Sequence, residues 1–264
     1  MKLSRPLTGL ALAASVALSG AESTATAQEA SRYVALGDSY SAGVGSQDSY
    51  DNDCLRADTS YPTLWLRTHN FQEFAFAACS GATTSDVLNQ QIRTLGPSDT
   101  LVTITIGGND VGFTNVLTAC LVAGDEACKA AVEQAVAVVN GQLPERLANV
   151  FSAIRQAAPR AHVVVLSYPH LFEPTEPCSA TTISNQSRAS INAGIDGLDA
   201  VLETQAGQAG FSFADVRPRF AGHGVCTQGV PWIQSLAFPI TNSFHPAGAG
   251  YAQGYLPALS EVAD

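Results

Sequence analysis

The sequence predicts an α/β protein built on a parallel sheet with helices on both faces. Two observations carry this reading. Short apolar runs of about four to six residues alternate with longer stretches of helical character, the order that produces strand–helix–strand crossovers. Three consecutive runs also stop abruptly at turns rich in Gly, Ser or Asn. Strands of a parallel sheet deliver such turns together to its carboxyl edge, where open α/β sheets do their chemistry.

The first strand is Tyr33-Val34-Ala35-Leu36, which runs directly into Gly37-Asp38-Ser39-Tyr40-Ser41. A loop rich in Asp, Ser and Tyr follows, then a helix over 61–69. The second strand covers 73–77 and ends at Cys79-Ser80-Gly81, and a helix over 86–95 comes next. The β-branched run 101–106 is the third strand and stops at Gly107-Gly108-Asn109-Asp110. A long helical region spans 128–158, with Pro144 marking a kink or break because proline lacks the helical donor. His162-Val163-Val164-Val165-Leu166-Ser167 is the clearest strand and ends at Tyr168-Pro169. A helix over 183–209 leads to a fifth strand at 211–214. Residues 216–244 have no clear period, and loops of that length in a compact domain are usually functional. A helix over 247–262 closes the chain. No repeat, low-complexity tract or interdomain linker interrupts this order.

Residues 1–27 lie outside the fold. Lys2 and Arg5 precede the mostly apolar run 10–18, and Ala25-Thr26-Ala27 offers a small-x-small cleavage site before Gln28. This is the pattern of a secretory signal peptide, too short to span a bilayer. The expected mature protein is 28–264, a secreted, monomeric single domain without a transmembrane segment. The net charge is −10, and loss of Lys2, Arg5 and Glu22 makes it one unit more negative. The few cations form no run, which excludes nucleic acid as a partner, since binding it requires a basic face. All six cysteines lie beyond the leader: Cys54, Cys79, Cys120, Cys128, Cys178 and Cys226. An even count in an exported chain reads as a disulfide framework, and no C-x-x-C spacing supports zinc. Fifteen pairings are open in principle. Cys120 with Cys128 is the simplest local pair, bracketing an acidic loop at Gly124-Asp125-Glu126.

On one sheet edge, Ser39, Gly81 and Asn109 converge. Ser39 supplies a nucleophilic oxygen. The backbone N–H groups of Ser39 and Gly81 and the side-chain amide of Asn109 can aim three donors at one developing oxyanion. Asp38 and Asp110 are read as turn-fixing carboxylates that bind backbone amides, and Asp86 as a solvated first-turn carboxylate. Of the five histidines, His69 lies in a helix, His162 opens a strand on the wrong edge and His223 lies in the irregular loop. His170 follows the fourth strand on the correct edge. His245 lies in Asn242-Ser243-Phe244-His245-Pro246. The residues alone leave the base open between His245 and His170.

Gly37-Asp38-Ser39-Tyr40, Gly81, Gly107-Gly108-Asn109-Asp110 and His245-Pro246 together resemble the four blocks of the SGNH (GDSL-type) hydrolases, in the same order. The resemblance covers essentially the whole mature chain and is nearest to the secreted actinomycete lipases, phospholipases and esterases. It implies a flavodoxin-like three-layer αβα sandwich with about five parallel strands. It also implies Ser39 as nucleophile, His245 as base, and Ser39, Gly81 and Asn109 as oxyanion donors, with no metal or organic cofactor. Sequential disulfides are implied too: Cys54–Cys79, Cys120–Cys128 and Cys178–Cys226. In one respect the chain departs from the family, which mostly places an aspartate three residues before the histidine, where this sequence has Asn242. Some actinomycete members instead use a main-chain carbonyl two residues before the histidine, here that of Ser243, so a Ser39–His245 dyad is expected.

The implied substrates are lipid, phospholipid or short-chain acyl esters, with Phe113, Phe172, Trp232 and Phe238 as residues for either an acyl groove or ordinary core. Carbohydrate deacetylation is the competing enzymatic reading, and a non-catalytic secreted binding protein the reading from another class. An α/β-hydrolase is disfavoured, because Ser41 stands where Gly-x-Ser-x-Gly needs its last glycine.

Overall fold

In the computed structural model, the residues described are Met1, 31–50 and 52–264, so the expected signal peptide lies outside them. Five strands form one sheet: β1 (Arg32–Gly37), β2 (Glu73–Phe76), β3 (Asp99–Thr105), β4 (His162–Leu166) and β5 (Ser212–Ala214). All pair in parallel, in the order β2-β1-β3-β4-β5. The central strands are buried along most of their length because helices cover both faces. Tyr33, Val34, Ala35 and Leu36 are fully buried, whereas the outer strand β2 begins with exposed Glu73.

The chain leaves β1 toward β2 on one side and returns to β3 on the other. This reversal opens a crevice at the carboxyl ends of β1 and β3, the general ligand position of such sheets. The register pairs Gly37 with Thr105, so both strands end at the same height. Gly37 has φ 122°, and a Cβ there would meet the Thr105 carbonyl oxygen at 2.4 Å, so the strand end admits no other residue. Gln91 latches this end: its Oε1 accepts from Gly37 N–H at 2.7 Å and its Nε2 donates to Gly37 O at 2.9 Å.

The helices are α1 (Ser39–Ala42), α2 (Tyr61–Thr68), α3 (Thr84–Asn89), α4 (Phe113–Val122), α5 (Gly124–Gly141), α6 (Leu143–Ala157), α7 (Asn185–Gln208), α8 (Arg217–Phe220) and α9 (Leu256–Ala263). Several bounds differ from expectation. The helix expected over 86–95 is α3 followed by a 3₁₀ turn, Gln91–Thr94. It starts early because Thr83 and Asp86 form a reciprocal capping box, which also makes Asp86 a cap rather than a merely solvated carboxylate. The region 128–158 is two helices, and Pro144 sits in the first turn of α6, where a missing N–H costs nothing. Asp125 and Glu126, expected in a loop, form the first turn of α5, where carboxylates suit the helix dipole. The last helix begins as a π-turn, Gly250–Tyr255, that passes into α9. Helix α4 is an addition to the expected order.

The structure pairs Cys54 with Cys79, Cys120 with Cys128 and Cys178 with Cys226. The second bridge staples α4 to α5. Asp199 on α7 accepts from Tyr168 N–H just past β4, and Leu143 at the head of α6 lies against Gly107. The part of α7 before Asp199, with α4 and α5, therefore forms a helical lobe standing beyond the carboxyl edge of the sheet.

Candidate active site

The first residues after β1 turn into α1, a single helical turn whose N-cap is Asp38. The Asp38 carboxylate accepts from Tyr40 N–H at 3.0 Å and from the Tyr168 hydroxyl, and that hydroxyl in turn accepts from Gly108 N–H at 3.0 Å. The ends of β1, β3 and β4 are tied together by this chain of contacts. Ser39 is thereby held at the start of α1 with its Oγ 2.8 Å from Nε2 of His245. The other ring nitrogen, Nδ1, lies 3.0 Å from the Ser243 carbonyl oxygen. A carbonyl can only accept, so Nδ1 carries the proton and Nε2 presents its lone pair to the serine hydroxyl.

The loop bearing His245 is pinned from several sides. Gln234 N–H donates to His245 O at 2.9 Å, and Phe244 N–H donates to Gln234 O at 3.0 Å. The Tyr40 hydroxyl donates to Phe244 O at 2.7 Å, and its ring packs 5.1 Å from the imidazole. Phe244 adopts a left-handed φ of 59°, a conformation a bulky residue holds only when its surroundings enforce it. Asn242 is buried and faces away from the imidazole: its Oδ1 accepts from Tyr50 OH at 3.0 Å and its Nδ2 donates to Gln47 O at 2.9 Å.

Gly81 and Asn109 lie in the turns that follow β2 and β3, the two strands that flank β1. Gly81 has φ 80°, and nothing lies within 4 Å of where a Cβ would project, so no side chain crowds this turn. Asn109 Nδ2 donates one hydrogen to Ala82 O at 2.9 Å, leaving the second free. Its neighbour Asp110 accepts from both Thr84 N–H (2.9 Å) and Thr84 Oγ1 (2.5 Å), locking the β3 turn to the head of α3. Asp38 and Asp110 thus fix turns, as expected from sequence. The residues that sequence reasoning missed are Tyr40, Tyr168 and Gln91, whose contacts join strand ends far apart in the chain.

Burial sets the electrostatics. It pushes His245 down to about 4, opposed by the Ser243 carbonyl, and pushes Asp38 up to about 7, opposed by the Tyr168 and backbone hydrogen bonds. The rival histidine, His170, is engaged elsewhere: its Nε2 lies 2.8 Å from Asp196 Oδ1, which also pairs with Arg217. His223 stacks on Trp232, and His69 pairs with Asp264 at 3.1 Å. Among the described residues no group of three or more His, Cys, Asp and Glu side chains is placed to hold a metal ion. Of the four aromatics named for a groove, Phe172 is core, packed against Phe244, and Trp232 is buried beside Phe220. Phe113 opens α4 and borders a narrow, wholly apolar slot inside the helical lobe, together with Val111, Val132, Ala135, Gly194 and Ile195. Phe238 stands almost fully in solvent.

A sequence profile described as the GDSL-like lipase/acylhydrolase family matches residues 35–253. The chain belongs to that family. Within the GDSL-like family it is 45% identical to a lipase of Streptomyces rimosus over 99% of this chain and 100% of that protein. Lipase 1 of Streptomyces coelicolor is 44% identical, covering 97% of each. The crystal structure of the extracellular lipase from Streptomyces rimosus superposes with a TM-score of 0.85, covering 88% of this chain and all of that one. Phospholipase A1 from Streptomyces albidoflavus NA297 also gives 0.85, at 43% identity, covering 88% and 99%. The five-stranded parallel sheet with its flanking helices is the fold of this family, and the chain is a GDSL-type carboxylic ester hydrolase.

Proposed function

We propose that the protein is an exported lipid-ester hydrolase that acts through an acyl-serine on Ser39, with His245 as its base and no carboxylate in support. The observation that carries this reading is the 2.8 Å contact between Ser39 Oγ and a ring nitrogen whose partner nitrogen donates to the Ser243 carbonyl. His245 takes the serine proton as Oγ attacks the ester carbonyl. The Ser39 and Gly81 amides and the free Asn109 amide hydrogen stabilise the tetrahedral oxyanion, each donor worth about 10²–10³ in turnover. The imidazolium then protonates the departing alcohol, and a water activated by the same histidine releases the acid.

The names of the Streptomyces relatives, lipase and phospholipase A1, support a lipid ester as substrate. So does the apolar slot in the lobe, whose side chains offer a sugar no hydrogen-bond partner. Three disulfides and the leader-like residues 1–27 support export. The test is Ser39→Ala beside wild type on an aryl ester. Wild type should release a burst of aryl alcohol equal to the enzyme present, and the variant should lose activity by on the order of 10⁴-fold or more. A variant with undiminished activity removes Ser39 from the chemistry.

A further inference from the structure

We propose that the loop at 236–240 is a docking surface for an uncharged lipid–water interface, resting on the reading of the substrate as a lipid ester. Large apolar side chains exposed to solvent cluster here. Leu236 is 59% exposed, Phe238 96% and Ile240 62%, with Val230 at 69% shortly before them. Ala237 and Pro239, between the three, are half-buried, so alternate residues emerge from a backbone that is itself seated on the protein. Single exposed apolar residues are ordinary, but a cluster of this kind marks an interaction surface.

Charge selects the partner. No Lys, Arg, Asp or Glu occurs between Arg219 and Glu261, in a chain of which 14% of residues are charged and whose net charge is −10. An anionic surface would be repelled by the molecule as a whole and would find no basic patch on this loop to offset that repulsion. A zwitterionic or neutral interface meets no such barrier, and a loop that itself carries no charged side chain enters it without desolvating an ion of its own.

Position gives the surface its use. Ala237 N–H donates to Ser243 Oγ at 2.9 Å, and Ser243 N–H donates to Ile240 O at 3.1 Å. The loop is therefore bonded directly to the residue whose carbonyl orients His245, and a lipid layer meeting Phe238 lies beside the Ser39 crevice.

The experiment uses full-length mature protein and vesicles of a diether phosphatidylcholine, which contain no ester to cleave, so binding is read independently of catalysis. Wild type should co-sediment with these vesicles, and the double variant Leu236→Ser/Phe238→Ser should bind at least tenfold more weakly. The same variant should hydrolyse a soluble aryl acetate within about twofold of wild type while losing activity on emulsified long-chain ester. Phe238→Trp, a residue that favours interfaces, should keep vesicle binding and guards against misreading a folding defect. Equal binding by wild type and double variant overturns the proposal, as does wild-type binding that requires anionic lipid. So does a wild type that ignores vesicles but forms a dimer that the double variant dissociates.

Discussion

Asn242 stands three residues before the histidine, where most of the GDSL-type family carries an aspartate, yet both of its side-chain polar atoms are committed to Tyr50 and Gln47. It holds the 47–50 loop against the histidine loop and makes no contact with the imidazole ring. Asn242→Ala should therefore lower stability by about 1–3 kcal/mol, the cost of leaving buried partners unsatisfied. Its kcat/KM on a soluble ester should fall less than tenfold, whereas His245→Ala should lose on the order of 10⁴-fold or more. Equal losses in the two variants would place Asn242 in the proton path. Asn242→Asp should not improve turnover, because one carboxylate oxygen would face the Gln47 carbonyl, acceptor against acceptor. The missing acid was readable in the sequence. Where the amide points was not, since that depends on a loop some 190 residues earlier in the chain.

At the scale of elements, the helical lobe is the part that sequence reading described least well. The strands were legible because β-branched runs buried on both faces have few other homes. Helix α4 was not: it opens at Gly112 without a side-chain cap and so carries no start signal, although Phe113, Val116, Leu117 and Cys120 keep a helical spacing with Thr114, Asn115 and Thr118 exposed. Of the candidate site, Ser39, Gly81 and Asn109 were legible as turns on one edge, but the choice between His170 and His245 was not. In the fold Asp196 and Arg217 hold His170 on the outer surface, while His245 Nε2 lies 2.8 Å from Ser39 Oγ. The lobe also yields a test of the acyl slot. Gly194 on α7 faces Val132 on α5, with 4.0 Å between its would-be Cβ and the valine methyl. Gly194→Leu suits a helix and fills the slot. It should cut kcat/KM on long-chain esters at least tenfold more than on acetate or butyrate esters; a uniform change across chain lengths would place the acyl chain elsewhere.

For the whole molecule, Asp38 and His245 bias stability in opposite directions with pH. Burial raises Asp38 to about 7, so the folded form binds that proton more tightly than the unfolded chain. Its contribution is full below the ordinary aspartate value of 3.8 and is lost as pH rises to about 7. Burial lowers His245 to about 4, so its contribution is full above 6.5 and is lost as pH falls to about 4. Over the shared window the two slopes oppose each other. Asp38→Asn removes one of them, and on acidification from 6.5 to 4 the variant should lose up to about 3 kcal/mol more stability than wild type. Chemical denaturation at stepped pH measures this directly. Parallel profiles would mean that Asp38 is not held neutral.

The sequence separation of 206 between Ser39 and His245 also sets a clock. A chain made from its amino end displays the serine early and waits for nearly all the remaining sequence before the imidazole can reach it. Until the final loop has been threaded beside the first strand, the hydroxyl is an ordinary alcohol. On the proposed mechanism, a copy that ends before His245 lacks the base for Ser39 and should hydrolyse no ester.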